Sequence, residues 1–167
     1  MAFLLGIPVV LAALMLQVGI ISRVMLLRGS ADLVMLVVAA WALQEKVRTG
    51  WFWAIWAGLL VGIISALSLP AYIVIYLVIT ACALFLRRRV WQAPILAMFA
   101  VVLLGTLIEQ GISLGVLIFL KNIPLPIAAS FNQVILPSLL LNLFLALPVY
   151  SIVRDLAVWV YPVEISP

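Results

Sequence analysis

The side chains that could carry catalysis are few, and they are scattered along the chain. The sequence has five acidic residues, no histidine and one cysteine, Cys82. A single thiol cannot form an internal disulfide, and a zinc site built from Cys and His would lack ligands. Acid–base or nucleophilic catalysis would need paired carboxylates, a histidine or an activated nucleophile, and the sequence shows none of these patterns. We therefore predict no catalytic residues, no cofactor and no metal, and an enzyme of lipid metabolism is the weakest alternative.

One acidic residue, Glu109, falls in the middle of a long apolar segment. An ionised side chain at the centre of a bilayer costs at least about 2.5 kcal/mol, so Glu109 should be protonated, hydrogen-bonded or matched by a partner. Thr106, Gln110 and Ser113 extend a polar stripe along the same helix. An internal clamp between helices is the favoured interpretation of this stripe. A surface that meets another protein, or a pathway for an ion or substrate, is the alternative.

Gln17 and Asn142 are the other polar residues deep in apolar segments. Either amide could donate a hydrogen bond to Glu109. Polar contacts between helices in lipid contribute about 1 to 2 kcal/mol or less, so they fix register more than they supply stability. We interpret both residues as packing contacts rather than as ligands.

The composition defines the class of protein that must position these residues. Of 167 residues, 69% are hydrophobic and only 8% are charged, whereas a soluble domain has about a quarter charged residues. A helix that crosses a bilayer needs about 20 mostly apolar residues. We predict an all-α integral membrane protein with about six transmembrane helices in one bundle, forming a single domain over residues 1–167.

Polar residues, glycines and prolines divide the chain into the predicted helices. At about 1.5 Å per residue, the second helix reaches only about 21 Å against about 30 Å of hydrocarbon, so neighbours must shield it or the bilayer must thin. Ser30 and Asp32 provide its N-terminal signal. A small interfacial helix is predicted over residues 127–133. The six predicted helices cover residues 3–22, 31–44, 51–69, 71–86, 94–120 and 134–153.

The basic residues predict the orientation of the bundle. With six crossings, most of the nine Lys and Arg residues fall on the side that holds both termini, which makes both termini cytoplasmic. Tryptophan prefers the membrane interface, and all six tryptophans fall near predicted cytoplasmic helix ends. The basic residues of the cytoplasmic side are Lys46, Arg48, Arg87, Arg88, Arg89 and Arg154, and the tryptophans are Trp41, Trp51, Trp53, Trp56, Trp91 and Trp159.

Small residues and prolines supply the candidate contact surfaces. Gly58 and Gly62 lie four residues apart and allow close approach of a second helix, either within the bundle or from a partner. Gly111 and Gly115 repeat this spacing. Pro137 and a second proline, Pro148, predict a kinked last helix with carbonyls that Ser138 or Asn142 could satisfy locally. The partner-binding candidates are Gly58, Gly62, Pro137 and Asn142.

Four segments resemble the rod-shape-determining protein MreD family of bacteria. They are LMLQ at 14–17, ADL at 31–33, GLLVGIIS at 58–65 and ILPSLLLNLFLALPVY at 135–150. Their order, the chain length and the number of crossings match the family over nearly the whole chain. Two departures are that the family often has an acidic residue at position 62 and a Pro-Leu-Gly turn near positions 69–71, so no role of that acid carries over.

The resemblance implies a non-enzymatic scaffold of the bacterial cytoplasmic membrane. Members of the family bind the single-span protein MreC and help couple MreB filaments to peptidoglycan synthesis by RodA and its penicillin-binding transpeptidase partner. Basic residues at the cytoplasmic side could also contact anionic membrane lipids, whereas the scattered charges do not predict nucleic-acid binding.

The rival hypothesis is a substrate-binding membrane subunit of a vitamin-type transporter, whose fold the family resembles. It would place a ligand pocket near Glu109, Gln110 and Asn142. Such subunits carry an Ala-x-x-x-Ala motif on the first helix for docking. In this sequence Ala12 and Ala13 are followed four residues later by Leu16 and Gln17, which counts against transport.

Overall fold

The regular structure of the described residues is helical. The computed structural model describes residues 2–23, 25–65, 68–90, 93–123 and 126–161, and no strand occurs among them. The hydrophobic core draws side chains from all six helices. These helices are α1 Ala2–Gly19, α2 Leu33–Leu43, α3 Gly50–Ile64, α4 Leu69–Arg89, α5 Pro94–Leu120 and α6 Ile127–Val160.

Four of the helical segments are long and apolar enough to cross a membrane. They are Leu4–Arg23, Leu69–Arg89, Pro94–Leu120 and Ile127–Val160. Helices α2 and α3, with 11 and 15 residues, are shorter than a typical span. The chain is thus an all-helical protein of the membrane type, which confirms the coarse fold prediction, while the number of six crossings stays a prediction.

Helix α2 lies at the centre of the bundle. Every residue from Val34 to Leu43 is buried, and α1, α3, α4, α5 and α6 all pack against it. A helix that is apolar on all sides is stable only when it is surrounded. Of the two alternatives for this short helix, shielding by neighbours is the one that the structure shows.

Several predicted helix ends differ from the observed ones. Helix α3 ends at Ile64, and Pro70 lies in the first turn of α4, a position that tolerates proline because the N–H there has no helical partner. The predicted interfacial helix 127–133 is wrong as a separate element. The turn Ile127–Ser130 passes through a π-helical segment, Phe131–Ile135, directly into Leu136–Val160.

A neighbouring loop compensates for Pro137 in α6. Proline has no N–H, so the carbonyl of Gln133, four residues earlier, loses its helical donor. The backbone N–H of Arg28 donates to that carbonyl at 3.0 Å. The loop approaches closely because Gly29 has no side chain, and a Cβ there would lie 2.8 Å from the Cβ of Pro137. Local compensation by Ser138 or Asn142 is therefore not what the structure shows.

The tryptophans divide into core and surface positions. Trp41 and Trp53 are fully buried and stacked, with ring centroids 4.0 Å apart, so the interfacial role predicted for these two is wrong. Trp51 and Trp159 are exposed, as an interfacial position requires. Trp91 lies outside the described residues.

Candidate functional site: the capped ends of the central helix

Side chains from other elements satisfy the first free N–H groups of α2. The carboxylate of Asp32 accepts a hydrogen bond from the backbone N–H of Met35 at 2.8 Å. Gln17 on α1 accepts from the backbone N–H of Val34 through its Oε1 atom at 3.1 Å. The first turn of a helix leaves such N–H groups unpaired, and in an apolar interior no water can reach them. The N-terminal signal read from Ser30 and Asp32 is confirmed at Asp32.

Asn142 connects this end of α2 to α5 and α6. Its Oδ1 accepts from the backbone N–H of Asp32 at 2.8 Å, and its Nδ2 donates to Oγ1 of Thr106 at 3.0 Å. Thr106 in turn donates to the carbonyl of Val102. Asn142 is 1% exposed, so these bonds are made away from solvent. We call Gln17, Asp32, Tyr76, Thr106, Glu109 and Asn142 the polar cluster.

The polar cluster contains two neighbouring carboxyl groups. The Glu109 side chain lies within hydrogen-bonding reach of the Asp32 carboxyl, and the hydroxyl of Tyr76 donates to Asp32 Oδ2 at 3.1 Å. Two carboxyl groups this close can form a hydrogen bond with each other only when one of them is protonated. The sequence analysis found no paired carboxylates, and the structure corrects this.

The structure assigns different positions to the intramembrane polar residues. Glu109 lies beside the carboxyl of Asp32, and the expectation that it is protonated, hydrogen-bonded or matched by a partner stays a prediction. Gln17 and Asn142 are packing contacts, as interpreted, and their amides bond to the α2 N-terminus and to Thr106. Gln110 and Ser113 lie apart from the cluster and line a cavity. Tyr76 was missed because no sequence spacing relates α4 to the start of α2.

If Glu109 is protonated beside Asp32, Glu109→Gln should have a mild effect. A glutamine amide can donate to Asp32 as a protonated Glu109 would, so the free energy of unfolding, followed by thermal melting in detergent, should fall by no more than about 1 kcal/mol. Glu109→Leu removes the hydrogen bond and should be more damaging. A large loss in the glutamine variant would show instead that Glu109 must be charged.

At the other end of α2, Arg87 of α4 binds the free carbonyl groups. Its Nη1 atom donates to the carbonyls of Ala42, Gln44 and Val47 at 3.2, 2.7 and 3.0 Å. A cation is favourable at a helix C-terminus, where the last carbonyls carry partial negative charge. In the sequence, Arg87 indicates only the orientation in the membrane, so its role at the end of α2 was missed.

The glycines Gly58 and Gly62 lie in an internal contact and do not form a free surface. A Cβ at Gly58 would lie 2.6 Å from Cα of Ile73, and one at Gly62 would lie 3.0 Å from Cα of Leu69. Both neighbours belong to α4. The contact within the bundle is therefore the correct alternative, and the partner-binding interpretation of these two residues is wrong.

The close contact predicts that Gly58→Ala is destabilising. The obstacle is backbone rather than a flexible side chain, so α3 and α4 must separate, at a cost of about 1 to 3 kcal/mol. Gly111 is the matched control, because nothing lies within 4 Å of a Cβ built there. Thermal melting of the two alanine variants compares them, and equal melting temperatures would contradict the close contact.

Pro137 and Asn142, the other partner-binding candidates, are also interior. Both residues are buried. Pro137 packs against Gly29, and Asn142 bonds to Asp32 and Thr106. Neither side chain is available to a partner, because each already completes a contact within the bundle.

Two cavities lie at opposite ends of the bundle. The first, about 230 Å³, is lined by Arg28, Gln110, Ser113 and residues of the α6 N-terminal region. The second, about 300 Å³, lies where α2 ends and is lined by Lys46, Arg87 and residues of α5 and α6. Neither carboxyl of the polar cluster lines either cavity. No group of three or more metal-ligating side chains occurs among the described residues.

The fold and the polar cluster define a helical protein of the membrane type with a short, capped helix at its centre. No protein-family model, curated protein or solved structure matches this chain.

Proposed function

We propose that the chain is a non-enzymatic scaffold of the bacterial cell-elongation complex in the cytoplasmic membrane. In this proposal it resembles MreD, binds MreC, and helps couple MreB filaments to peptidoglycan synthesis by RodA and its transpeptidase partner. The observation that carries the proposal is the convergence of three separate family-like segments on one hydrogen-bonded cluster.

The three segments meet at the N-terminus of α2. Gln17 ends the LMLQ segment, Asp32 is the acid of the ADL segment, and Ser138 and Asn142 belong to the segment at 135–150. Gln17 caps α2, the Asp32 backbone N–H donates to Asn142, and the Ser30 backbone N–H donates to Ser138. Residues that carry a family resemblance and also depend on one another in space favour a shared architecture over a chance match of apolar segments.

The hydrogen bonds of these polar groups favour a scaffold function. The hydrogen bonds of Gln17, Asp32 and Asn142 fix α2 between α1, α5 and α6. Interhelical hydrogen bonds of this kind set the register of a bundle. A bundle with a fixed register can present a constant surface to the single helix of a partner.

Six crossings with both termini in the cytoplasm belong to the same proposal. Lys46, in the loop after α2, and Arg87, at the end of α4, line one cavity, while Arg28 lines the cavity at the opposite end. The two groups of basic residues therefore lie at opposite ends of the bundle. The more basic end is assigned to the cytoplasm.

Copurification with MreC tests the scaffold proposal. The tagged chain is coexpressed with full-length MreC, solubilised in mild detergent and purified, with an MreC variant that carries a scrambled transmembrane segment as the matched control. Retention of MreC but not of the scrambled variant is expected. A folded, monodisperse chain that retains neither protein would refute the proposal.

A second candidate function is a substrate-binding transporter subunit, which the cavity of about 230 Å³ lined by Gln110 and Ser113 favours. A ligand that binds the folded state raises the melting temperature in a concentration-dependent way. A panel of vitamins tested by thermal melting separates this candidate from the scaffold, because a scaffold should respond to none of them.

A further inference from the structure

The cavity of about 300 Å³ at the C-terminal end of α2 has a polar side and an apolar side. The apolar wall includes Val90, Pro94 and Val158, and the polar side includes Glu45, Lys46 and Arg87. Val158 is 59% exposed, so the cavity is continuous with the apolar outer surface of α6. A ligand that fits both walls must combine a polar group with a hydrocarbon part.

Arg87 supplies a positioned donor group in this cavity. Its Nη1 atom is held by the carbonyls of Ala42, Gln44 and Val47, which fixes the plane of the guanidinium. Among the described residues, its Nε and Nη2 atoms have no hydrogen-bond partner. A planar guanidinium with free N–H groups on one edge matches the oxygens of a phosphate.

The charge around the cavity favours an anion. Lys46 and Arg87 are positive, and Glu45 is the acid among the lining residues. The nearby Arg88 adds to the positive potential at Arg87. Among the described residues of this end, the acid Asp155 pairs with Arg154 at 3.4 Å. The cavity therefore carries a net positive charge.

Its position relative to the membrane favours a lipid over a free phosphate. Trp159, next to Val158, is 73% exposed, and an exposed tryptophan at a helix end is typical of the depth of lipid headgroups. The apolar wall offers nothing to inorganic phosphate but can contact the glycerol and upper acyl carbons of a phospholipid.

We propose that this cavity binds the phosphate headgroup of an anionic phospholipid, with Arg87 and Lys46 as the contacting cations. The inference requires only the helical bundle, so it is independent of the scaffold function and of the identity of any protein partner.

Lipid binding to the purified full-length chain in detergent tests the proposal. Native mass spectrometry measures the affinity for phosphatidylglycerol and for phosphatidylcholine, and inorganic phosphate is added as a competitor. Phosphatidylglycerol should bind more tightly, and inorganic phosphate should not displace it. Lys46→Gln should weaken phosphatidylglycerol binding about fivefold, as expected for one charge at a membrane surface, and Glu45→Gln should strengthen it by a similar factor.

Both substituted residues are exposed, so neither variant should affect folding. Arg23→Gln removes an exposed charge at the opposite end of the bundle and is the matched control, which should leave the affinity unchanged. Equal affinity for the two lipids would overturn the proposal, as would equal losses in Lys46→Gln and Arg23→Gln. Displacement of the lipid by inorganic phosphate would assign the cavity to a soluble anion instead.

Discussion

Arg87→Met should lower the free energy of unfolding by about 2 kcal/mol, since hydrogen bonds from a charged donor are worth about 1.5 to 3 kcal/mol. Methionine keeps the length of the aliphatic stem but cannot donate to the carbonyls of Ala42, Gln44 and Val47. The carbonyls of Ala42 and Gln44 end a helix that is buried on every side, and that of Val47 lies in the loop that follows it. Without the guanidinium, the C-terminus of α2 loses both its hydrogen-bond donors and its compensating charge.

The adjacent Arg88 provides the control for this experiment. Arg88 is exposed, and Arg88→Met removes the same charge from the same turn of α4. Thermal melting of both variants in detergent should show a drop for Arg87→Met and little change for Arg88→Met. Equal drops would mean that the overall charge of this end, and not the capping of α2, determines stability.

Local signals were sufficient to predict the central helix. Its apolar composition, its short length and the N-terminal signal at Asp32 all lie within one stretch of sequence. Its length relative to the bilayer indicated that neighbours must shield it or that the bilayer must thin. The structure confirms both the cap at Asp32 and the burial of α2.

The partners of these local features could not be predicted, because they come from distant parts of the chain. Glu109 was expected to be protonated, hydrogen-bonded or matched by a partner, but nothing in the sequence indicates that another acid, Asp32, lies beside it. Arg87 belongs to an ordinary charge cluster at a helix end, and only the packing of α4 beside α2 makes it a cap. The compensation of Pro137 by the Arg28 backbone is also a contact between separate elements.

The glycines show how tertiary structure decides between equal local patterns. Gly58 and Gly62 share their spacing with Gly111 and Gly115, and the sequence assigned the same two alternatives to both pairs. The first pair is pressed against α4, whereas a Cβ at either residue of the second pair would meet nothing within 4 Å. The spacing permits close approach of a helix, and the order of the helices in the bundle determines whether one is present.

Asn142→Leu should lower the free energy of unfolding by about 2 to 3 kcal/mol, because it leaves the buried N–H of Asp32 without an acceptor and removes the link to Thr106. Leucine has nearly the same size, so lost hydrogen bonds rather than a cavity account for the effect. Asn132→Leu, at an exposed position of the same long helix, is the control and should leave the melting temperature nearly unchanged. A melting temperature for Asn142→Leu equal to that of the unsubstituted chain would mean that apolar packing alone holds α2 in place. In that case the polar cluster would not determine the register of the bundle, and the convergence of the family-like segments on it would no longer support the scaffold proposal.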